Sequence, residues 1–153
     1  MAESNELITV NLLTPERRFP SFEVSRVHVP AYNGYMEILP NHASCVVQLG
    51  MGVLSIGDQK VFINGGYIEI LNNSVKVLAD SVETLPGDEL SETRADKVVD
   101  GERAKNSLDR ANNRLASMKL DDSEDELDTQ RAILAKERAE RRLEFLSWSS
   151  VSK

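Results

Sequence analysis

The residues most able to do chemistry in this chain are arginines in its C-terminal half. Five of them are followed directly by alanine: Arg94, Arg103, Arg110, Arg131 and Arg138. Arg103 and Arg110 are seven residues apart, as are the last two of the set, so each pair would share one face of a helix. Clustered guanidinium groups bind phosphate or carboxylate groups through paired hydrogen bonds. Solvated helix faces with ion pairs, such as Glu137 with Arg141, are the simpler interpretation of the same spacing.

Groups for other kinds of chemistry are scarce. His28 and His42 are the only histidines, and Cys45 is the only cysteine. No spacing of His, Cys, Asp and Glu fits a metal site, and no nucleophile elbow, phosphate-binding loop or dinucleotide fingerprint is present. The glycines around Met51 lack the third glycine of such a fingerprint and predict a strand corner. We therefore predict no catalytic residue, no metal site and no enzymatic activity.

Composition excludes further classes of protein. The net charge is −7, because 25 acidic residues outnumber 18 basic ones, so we expect no nucleic-acid binding. One cysteine cannot form an internal disulfide, which favours a reducing compartment. We expect no signal peptide at residues 1–6, and no apolar run approaches the ~20 residues that span a bilayer. Association with a membrane would therefore need partner proteins.

Residues 1–86 read as a β-domain, because short β-branched runs alternate with turn residues. Turns are predicted at Asn33-Gly34, Gly57-Asp58 and Asn72-Asn73. Near Ser25-Arg26 the apolar residues change parity, which indicates a bulge or two covered faces. The predicted strands are 7–13, 22–29, 35–39, 44–49, 51–56, 61–63, 67–71 and 75–79. This punctuation is typical of an antiparallel sandwich or barrel.

Residues 87–153 read as two helices. The first would begin at Asp88 or Ser91 and end near residues 119–122, and its stretch from residue 90 to residue 118 would be a rod of about 43 Å. The second would begin at the capping box formed by Ser123 and Glu126. Their predicted apolar stripes are Val98, Ala104, Leu108, Ala111, Leu115 and Met118, and then Leu127, Ala132, Ala135, Ala139, Leu143 and Leu146. Alanine buries little area, so we expect a marginally held hairpin that is able to open.

Three segments carry a resemblance to a known family: Ile38-Leu39-Pro40-Asn41-His42-Ala43, Gly65-Gly66-Tyr67-Ile68-Glu69-Ile70 and Val75-Lys76-Val77-Leu78-Ala79-Asp80. With these segments in this order and a two-helix tail after them, the chain resembles the epsilon subunit of F-type ATP synthases, bacterial type. The resemblance covers nearly the whole chain. It implies an N-terminal antiparallel β-sandwich over residues 1–86 and a C-terminal antiparallel helical hairpin over residues 87–153.

The resemblance also implies a place for the protein. It would be a non-catalytic subunit of the central stalk, peripheral on the cytoplasmic face of a bacterial inner membrane rather than a chloroplast thylakoid. Its sandwich would contact the gamma subunit and the ring of c subunits through the loop at residues 31–42. The residues implied for that contact are Gly34, Tyr35, Met36, Glu37, Asn41 and His42. Glu37 stands where many members of the family have glycine, which is a departure in the middle of the loop.

The family's helical tail is regulatory, and the same is implied here. Extended along gamma, it would meet the alpha and beta subunits transiently and block ATP hydrolysis. In some bacterial members the folded hairpin binds ATP. The residues implied for ATP or beta-subunit contact are Leu90, Ser91, Arg94, Arg131, Arg138 and Arg142. Ser91 replaces the family's aspartate and so lacks a carboxylate acceptor for the adenine amino group, which predicts weak ATP binding at most and no resident cofactor.

An alternative from another functional class remains at this point. The chain could be a stand-alone, ligand-binding β-sandwich with a coiled-coil arm. Dimerisation would then run through Leu108, Leu115 and Leu143, and the protein would sediment as a stable homodimer.

Overall fold

The computed structural model describes residues 6–88, 90, 98–118 and 126–149. The chain divides into two compact units, Met1–Thr84 and Leu85–Lys153. In the described residues the elements are β1 (Ile8–Leu13), β2 (Phe22–Val24), β3 (Val27–Ala31), β4 (Gly34–Ile38), β5 (Cys45–Ile56), β6 (Gln59–Leu71), β7 (Ser74–Ala79), β8 (Val82–Glu83), α1 (Gly101–Met118) and α2 (Glu126–Ser149). The predicted fold class, a β-sandwich followed by two helices, is confirmed.

The strands form an 8-stranded sheet in the order β2-β1-β7-β6-β5-β3-β4, with β8 beside β6. Neighbouring strands are antiparallel except β1 and β7, which run parallel. The longest strands, β5 and β6, pair from Cys45 opposite Ile70 to Ile56 opposite Gln59. Near their shared turn, consecutive residues such as Val53 and Leu54 are both buried, so both faces of the sheet are covered there.

Alternating burial builds the core of the first unit. In β1, Ile8, Val10 and Leu12 are fully buried, whereas the residues between them are more exposed. Strand β7 shows the same alternation, with Val75 and Val77 inside. Side chains two residues apart in a strand share a face, so each strand contributes one apolar row. This is the pattern from which most of these strands were predicted.

Three predicted strand boundaries are wrong. The run 22–29 is two strands, since β2 pairs with β1 while β3 pairs with β4 and β5. Gly50 lies inside β5, and Gly65 and Gly66 lie inside β6. The last two have φ values of 87° and 128°, a backbone conformation that favours glycine, and β6 continues through them. A Cβ on Gly66 would lie 2.1 Å from the carbonyl oxygen of Leu78, which explains why this strand interior needs glycine.

The predicted hairpin turns at Gly57-Asp58 and Asn72-Asn73 are confirmed. Gly57 and Asp58 join β5 to β6, and Gly57 has a φ of 60°. Asn72 and Asn73 join β6 to β7 with φ values of 49° and 59°. Paired positive φ values are typical of the two-residue turns that match the twist of antiparallel strands.

Helix α1 begins later than predicted. Asp100 caps it, because its Oδ1 accepts hydrogen bonds from the N–H groups of Glu102 at 3.0 Å and Arg103 at 3.1 Å. Residues 98–100 are not helical, so a continuous helix over residues 90–118 is wrong, and the 18 residues of α1 extend for about 27 Å. Asp88 instead closes a local turn by accepting a 3.1 Å bond from the N–H of Leu90. Ser91 and the predicted cap at Ser123 lie outside the described residues.

The helices pack through alanines. Ala104 and Ala111 are buried in α1, and Ala132 and Ala139 are buried in α2, each pair seven residues apart. A Cβ on Gly101 would lie 3.1 Å from Cδ1 of Leu146. The start of α1 therefore lies beside the end of α2, as in the predicted antiparallel hairpin.

The predicted stripe of α2 is partly wrong. Ala135 is exposed, and Leu127 is 50% exposed. Lys136 is half-buried instead of Ala135. It follows the buried Ala132 by four positions, which places it on the same helix face, and its aliphatic stem can lie along the apolar surface. Phe145, which lies outside the predicted stripe, is fully buried.

Candidate functional site

The hairpin of β3 and β4 carries four of the six predicted rotor-contact residues. Tyr32 and Asn33 form its two-residue turn, and Ala31 pairs with Gly34, whose φ is 134°. Tyr32 is 72% exposed and Tyr35 is 57% exposed, and residues 30–36 contain no charged side chain. The tip of this hairpin is thus an aromatic, uncharged surface.

Beyond the tip, β4 alternates between two faces. Glu37 is exposed on the same face as Tyr35, whereas Met36 is half-buried on the other face. Glu37 lies opposite His28, and its Oε1 is 2.8 Å from Nε2 of His28. The side chain of His28 is 48% exposed and that of Glu37 is 46% exposed, so the contact orients the two groups and contributes little to stability.

Asn41 and His42 lie in the turn that follows β4. The N–H of His42 donates to the carbonyl oxygen of Leu39 at 3.2 Å, and Asn41 has a φ of 63°. The side-chain amide of Asn41 donates to the carboxylate of Glu6. Nδ1 of His42 lies 2.8 Å from the carbonyl oxygen of Ala43, and because a carbonyl only accepts, Nδ1 carries the proton in this bond.

The structure does not bring the six rotor-contact residues into one cluster. Gly34 and Tyr35 lie at the tip of the hairpin, whereas Asn41 and His42 follow the opposite end of β4. The five residues of β4 extend for about 17 Å, at the usual rise of a strand. The predicted contact region therefore consists of two separate groups, which we call the tip cluster (Gly34, Tyr35 and Met36) and the turn cluster (Asn41 and His42). Glu37 lies between them.

The arginines predicted for the hairpin have different surroundings. Nη1 of Arg131 is 3.3 Å from Oδ1 of Asp128, and both groups are partly exposed. Arg138 is half-buried, and its Nε is buried without a hydrogen-bond partner in the described residues. Arg142 is also half-buried. Of the other residues in the set, Leu90 makes the turn with Asp88, and Ser91 and Arg94 lie outside the described residues.

The ion pairs on α2 differ from the predicted one. Nη1 of Arg141 is 3.6 Å from Oε2 of Glu144, not paired with Glu137 as expected. Lys136 lies 3.8 Å from Glu140. Partly exposed pairs of this kind are worth little individually, so they mark a solvated face rather than an anion site.

The described residues include neither a metal site nor a membrane-spanning helix. They contain no group of three or more His, Cys, Asp or Glu side chains that could hold a metal ion. Neither described helix is long and apolar enough to cross a bilayer.

The β-sandwich of this chain is similar to a known family of domains. Residues 7–85 match the family model described as the ATP synthase, Delta/Epsilon chain, beta-sandwich domain. The chain belongs to this family. The ATP synthase epsilon chain of Solibacter usitatus is 34% identical over 142 residues, which are 90% of this chain and 94% of the relative. The epsilon chain of Desulforamulus reducens is 35% identical over 147 residues, 94% of this chain and 97% of the relative. The predicted resemblance to bacterial epsilon subunits is confirmed.

A solved structure supports the fold. One chain of the cryo-EM structure of the Euglena gracilis mitochondrial ATP synthase, OSCP/F1/c-ring, superposes with a TM-score of 0.61. The match covers 95% of this chain and 81% of that chain at 18% identity. At this identity the likeness concerns the fold alone. It extends over the helices as well as the sandwich of this epsilon-family chain.

The departure at Glu37 has a simple structural outcome. Among the described residues, the non-glycine positions with positive φ are Asn41, Asn72 and Asn73, so Glu37 has ordinary strand geometry. A glutamate in place of the family's glycine therefore requires no backbone strain in β4.

Two hydrogen-bond partners of the site residues and one helix cap were missed from the sequence. Asn73 accepts a hydrogen bond from Asn41, Val53 donates one to Tyr35, and Asp100 caps α1. The sequence predicted Asn73 only as a turn residue and Val53 only as a strand residue, and indicated neither hydrogen bond. Asp100 before Gly101 is an ordinary capping signal, but the acidic and serine residues around position 90 offered an earlier one.

Proposed function

We propose that this chain is the non-catalytic epsilon subunit of the central stalk of a bacterial proton-translocating ATP synthase. The observation that carries the proposal is the near full-length match to bacterial epsilon chains, which covers up to 94% of this chain and 97% of a relative. Under this proposal the sandwich links the gamma subunit to the ring of c subunits. The complex then holds the protein at the cytoplasmic face of the inner membrane.

The tip cluster and the turn cluster are the proposed contact surfaces. The tip cluster presents the exposed ring of Tyr35 and contains no charged side chain, and aromatic residues without charge are typical of the centres of protein interfaces. The turn cluster exposes polar groups that are fixed by bonds to the turn of β6 and β7 and to Glu6. Two groups separated along β4 suit contact with a broad partner surface, or with two neighbouring subunits, better than with a small ligand.

The helical hairpin is the proposed regulatory element. Four of the five residues that α1 and α2 bury are alanines, which contribute little burial energy at ~25 cal/mol per Å², and Phe145 is the one large side chain among them. We expect a second arrangement of the helices to lie close enough in free energy that a partner which binds it would shift the population. Extended helices bearing Arg131 and Arg138 would meet acidic surfaces of the alpha and beta subunits and restrain ATP hydrolysis.

The test of this function uses the catalytic complex of the same organism, depleted of its own epsilon subunit. Adding the full chain should lower the rate of ATP hydrolysis. A chain ending at Pro86 keeps the first compact unit, so it should still bind the complex but should not inhibit it. Equal inhibition by both forms would contradict the regulatory role of the helices, and no binding by either form would contradict the stalk assignment.

The dimerisation alternative has less support. Leu108 and Leu115 share the stripe of the buried Ala111, and Leu143 follows Ala139 by four residues. These leucines are half-buried within the chain's own hairpin. We therefore expect a monomer by sedimentation equilibrium when the chain is isolated.

A further inference from the structure

The ladder between β3 and β5 is interrupted beside the tip cluster. His28 lies opposite Ser55 and Ala31 lies opposite Leu49, so residues 29–30 of β3 face residues 50–54 of β5. Strand β5 thus bulges, because more of its residues occupy the stretch than β3 can pair. Pro30 falls within the interruption and has no N–H to donate. The backbone of β3 leaves part of β5 unpaired at this point.

Val53 lies in this unpaired stretch of β5, where β3 offers its N–H no acceptor in the regular ladder. It is 5% exposed, and buried N–H groups are almost always hydrogen-bonded. The hydroxyl oxygen of Tyr35 accepts this bond at 3.1 Å. Tyr35 lies opposite Pro30 in the register of β3 and β4. Its side chain therefore reaches across the proline to β5, where the phenol oxygen replaces the missing backbone acceptor.

Gly52 leaves room for this arrangement. A Cβ on Gly52 would lie 2.8 Å from the hydroxyl oxygen of Tyr35 and 2.9 Å from Cβ of Pro30, both closer than real Cβ contacts. Gly52 is buried. Its missing side chain therefore gives both rings a place against β5. We call Pro30, Tyr35, Gly52 and Val53 the tyrosine lock.

We infer that Tyr35 is a positioning residue, which fixes the tip of the β3–β4 hairpin against β5 through the N–H of Val53. The inference rests on the proposed rotor contact, because its consequence is a preorganised tip cluster. The ring of Tyr35 remains 57% exposed although its hydroxyl is engaged, so the lock also sets which face of the ring a partner meets. A surface held in its binding conformation loses less conformational entropy on association.

The test compares three full-length, ¹⁵N-labelled variants with the wild-type chain. Tyr35→Phe removes the acceptor and keeps the ring. Gly52→Ala keeps the phenol and removes the space for it. Tyr67→Phe is the matched control. Tyr67 is also a strand tyrosine, it is 54% exposed, and its hydroxyl makes no hydrogen bond within the described residues. Two quantities are measured: the hydrogen-exchange rate of the Val53 amide, and the affinity for a purified complex of the gamma subunit and the c ring.

The lock predicts that Tyr35→Phe speeds exchange of the Val53 amide by about tenfold, because a buried N–H loses its acceptor. Affinity for the gamma and c-ring complex should fall about threefold to tenfold, while exchange in β1 and β7 stays unchanged. Gly52→Ala should change both quantities in the same direction, and Tyr67→Phe should leave the Val53 rate unchanged.

Unchanged Val53 exchange in Tyr35→Phe would overturn the lock. Faster exchange with unchanged affinity would reduce Tyr35 to a purely structural residue and overturn its positioning role. A wild-type chain that fails to bind the gamma and c-ring complex would contradict the proposed function, and the Val53 rate would still decide whether the lock exists.

Discussion

The backbone N–H of Asn41 donates a 2.6 Å hydrogen bond to Oδ1 of Asn73, 32 residues further along the chain. The carbonyl oxygen of Asn73 accepts a second bond, of 2.9 Å, from the N–H of Thr9. One residue therefore joins the turn after β4, the turn between β6 and β7, and strand β1. Asparagine suits the position because it tolerates its φ of 59° and also supplies a side-chain acceptor.

Replacing Asn73 tests how the turn cluster is held. Asn73→Gly keeps a residue that accepts positive φ but removes the side-chain acceptor. We expect the free energy of unfolding to fall by about 1 kcal/mol and the Asn41 amide to exchange faster. Chemical denaturation and hydrogen exchange measure the two effects.

Asn72→Gly is the control for this change. Asn72 precedes Asn73 in the same turn with a φ of 49°, and its side chain makes no hydrogen bond within the described residues. Its replacement should leave the Asn41 amide unaffected. Equal acceleration in both variants would show that the turn backbone, and not the Asn73 side chain, holds the turn cluster.

Asp100 decides where the first helix begins. Asp100→Ala removes the acceptor for two N–H groups at the start of α1, so we expect a loss of about 1 kcal/mol in the stability of the hairpin. Asp100→Asn should restore most of it, because the amide oxygen also caps. Helical circular dichroism during thermal unfolding measures the change.

Asp109→Ala is the matched control on the same helix. Asp109 is exposed in the helix interior, where alanine is the better helix former. This variant should be as stable as the wild-type chain or slightly more stable. A loss as large as that of Asp100→Ala would mean that removal of negative charge, rather than loss of the cap, causes the effect.

Local signals predicted the turns and strands better than they predicted the long-range contacts. Asn72 and Asn73 were recognisable as a turn because asparagine tolerates positive φ. Gly65 and Gly66 carried an equally strong turn signal, yet they lie inside β6, because pairing with β5 and β7 continues around them. Continuity of a strand depends on partners that are distant in sequence.

The candidate site shows the same limit. The resemblance identified residues 34–37 and 41–42, but not that β4 separates them into two clusters. Nothing near Tyr35 in the sequence indicates that its hydroxyl meets Val53. That contact arises from a register shift between β3 and β5, which spacing within either strand does not reveal.

The buried alanines of α2 allow a direct test of the regulatory proposal. Ala139 is 1% exposed, so Ala139→Leu should overpack the hairpin and destabilise it by about 1 to 3 kcal/mol. If the packed and extended arrangements are in equilibrium, the extended one gains population and ATP hydrolysis should be inhibited more strongly than with the wild-type chain. Thermal unfolding and the reconstituted hydrolysis assay measure the two effects.

Ala135→Leu provides the comparison, because Ala135 is exposed on the same helix. It should change the unfolding free energy by no more than ~0.5 kcal/mol and leave inhibition unaltered. Ala139→Leu that destabilises the hairpin without strengthening inhibition would separate the packing of the helices from their proposed regulatory role.

ATP binding tests the departure at Ser91 from the family pattern. Serine offers no carboxylate acceptor, so we expect isothermal calorimetry of the wild-type chain with millimolar ATP to give no saturable heat. Ser91→Asp restores the acceptor that the resemblance implies, and should produce binding in the millimolar range, equivalent to about −4 kcal/mol.

Arg138 supplies the matched control, since its half-buried guanidinium has an unpartnered Nε in the described residues. Adding Arg138→Ala to Ser91→Asp should abolish the ATP binding gained, because the guanidinium that would contact the ATP phosphates is lost. Saturable binding by the wild-type chain would show that Ser91 does not prevent ATP recognition, and a silent Ser91→Asp would show that more than one residue keeps this hairpin from binding ATP.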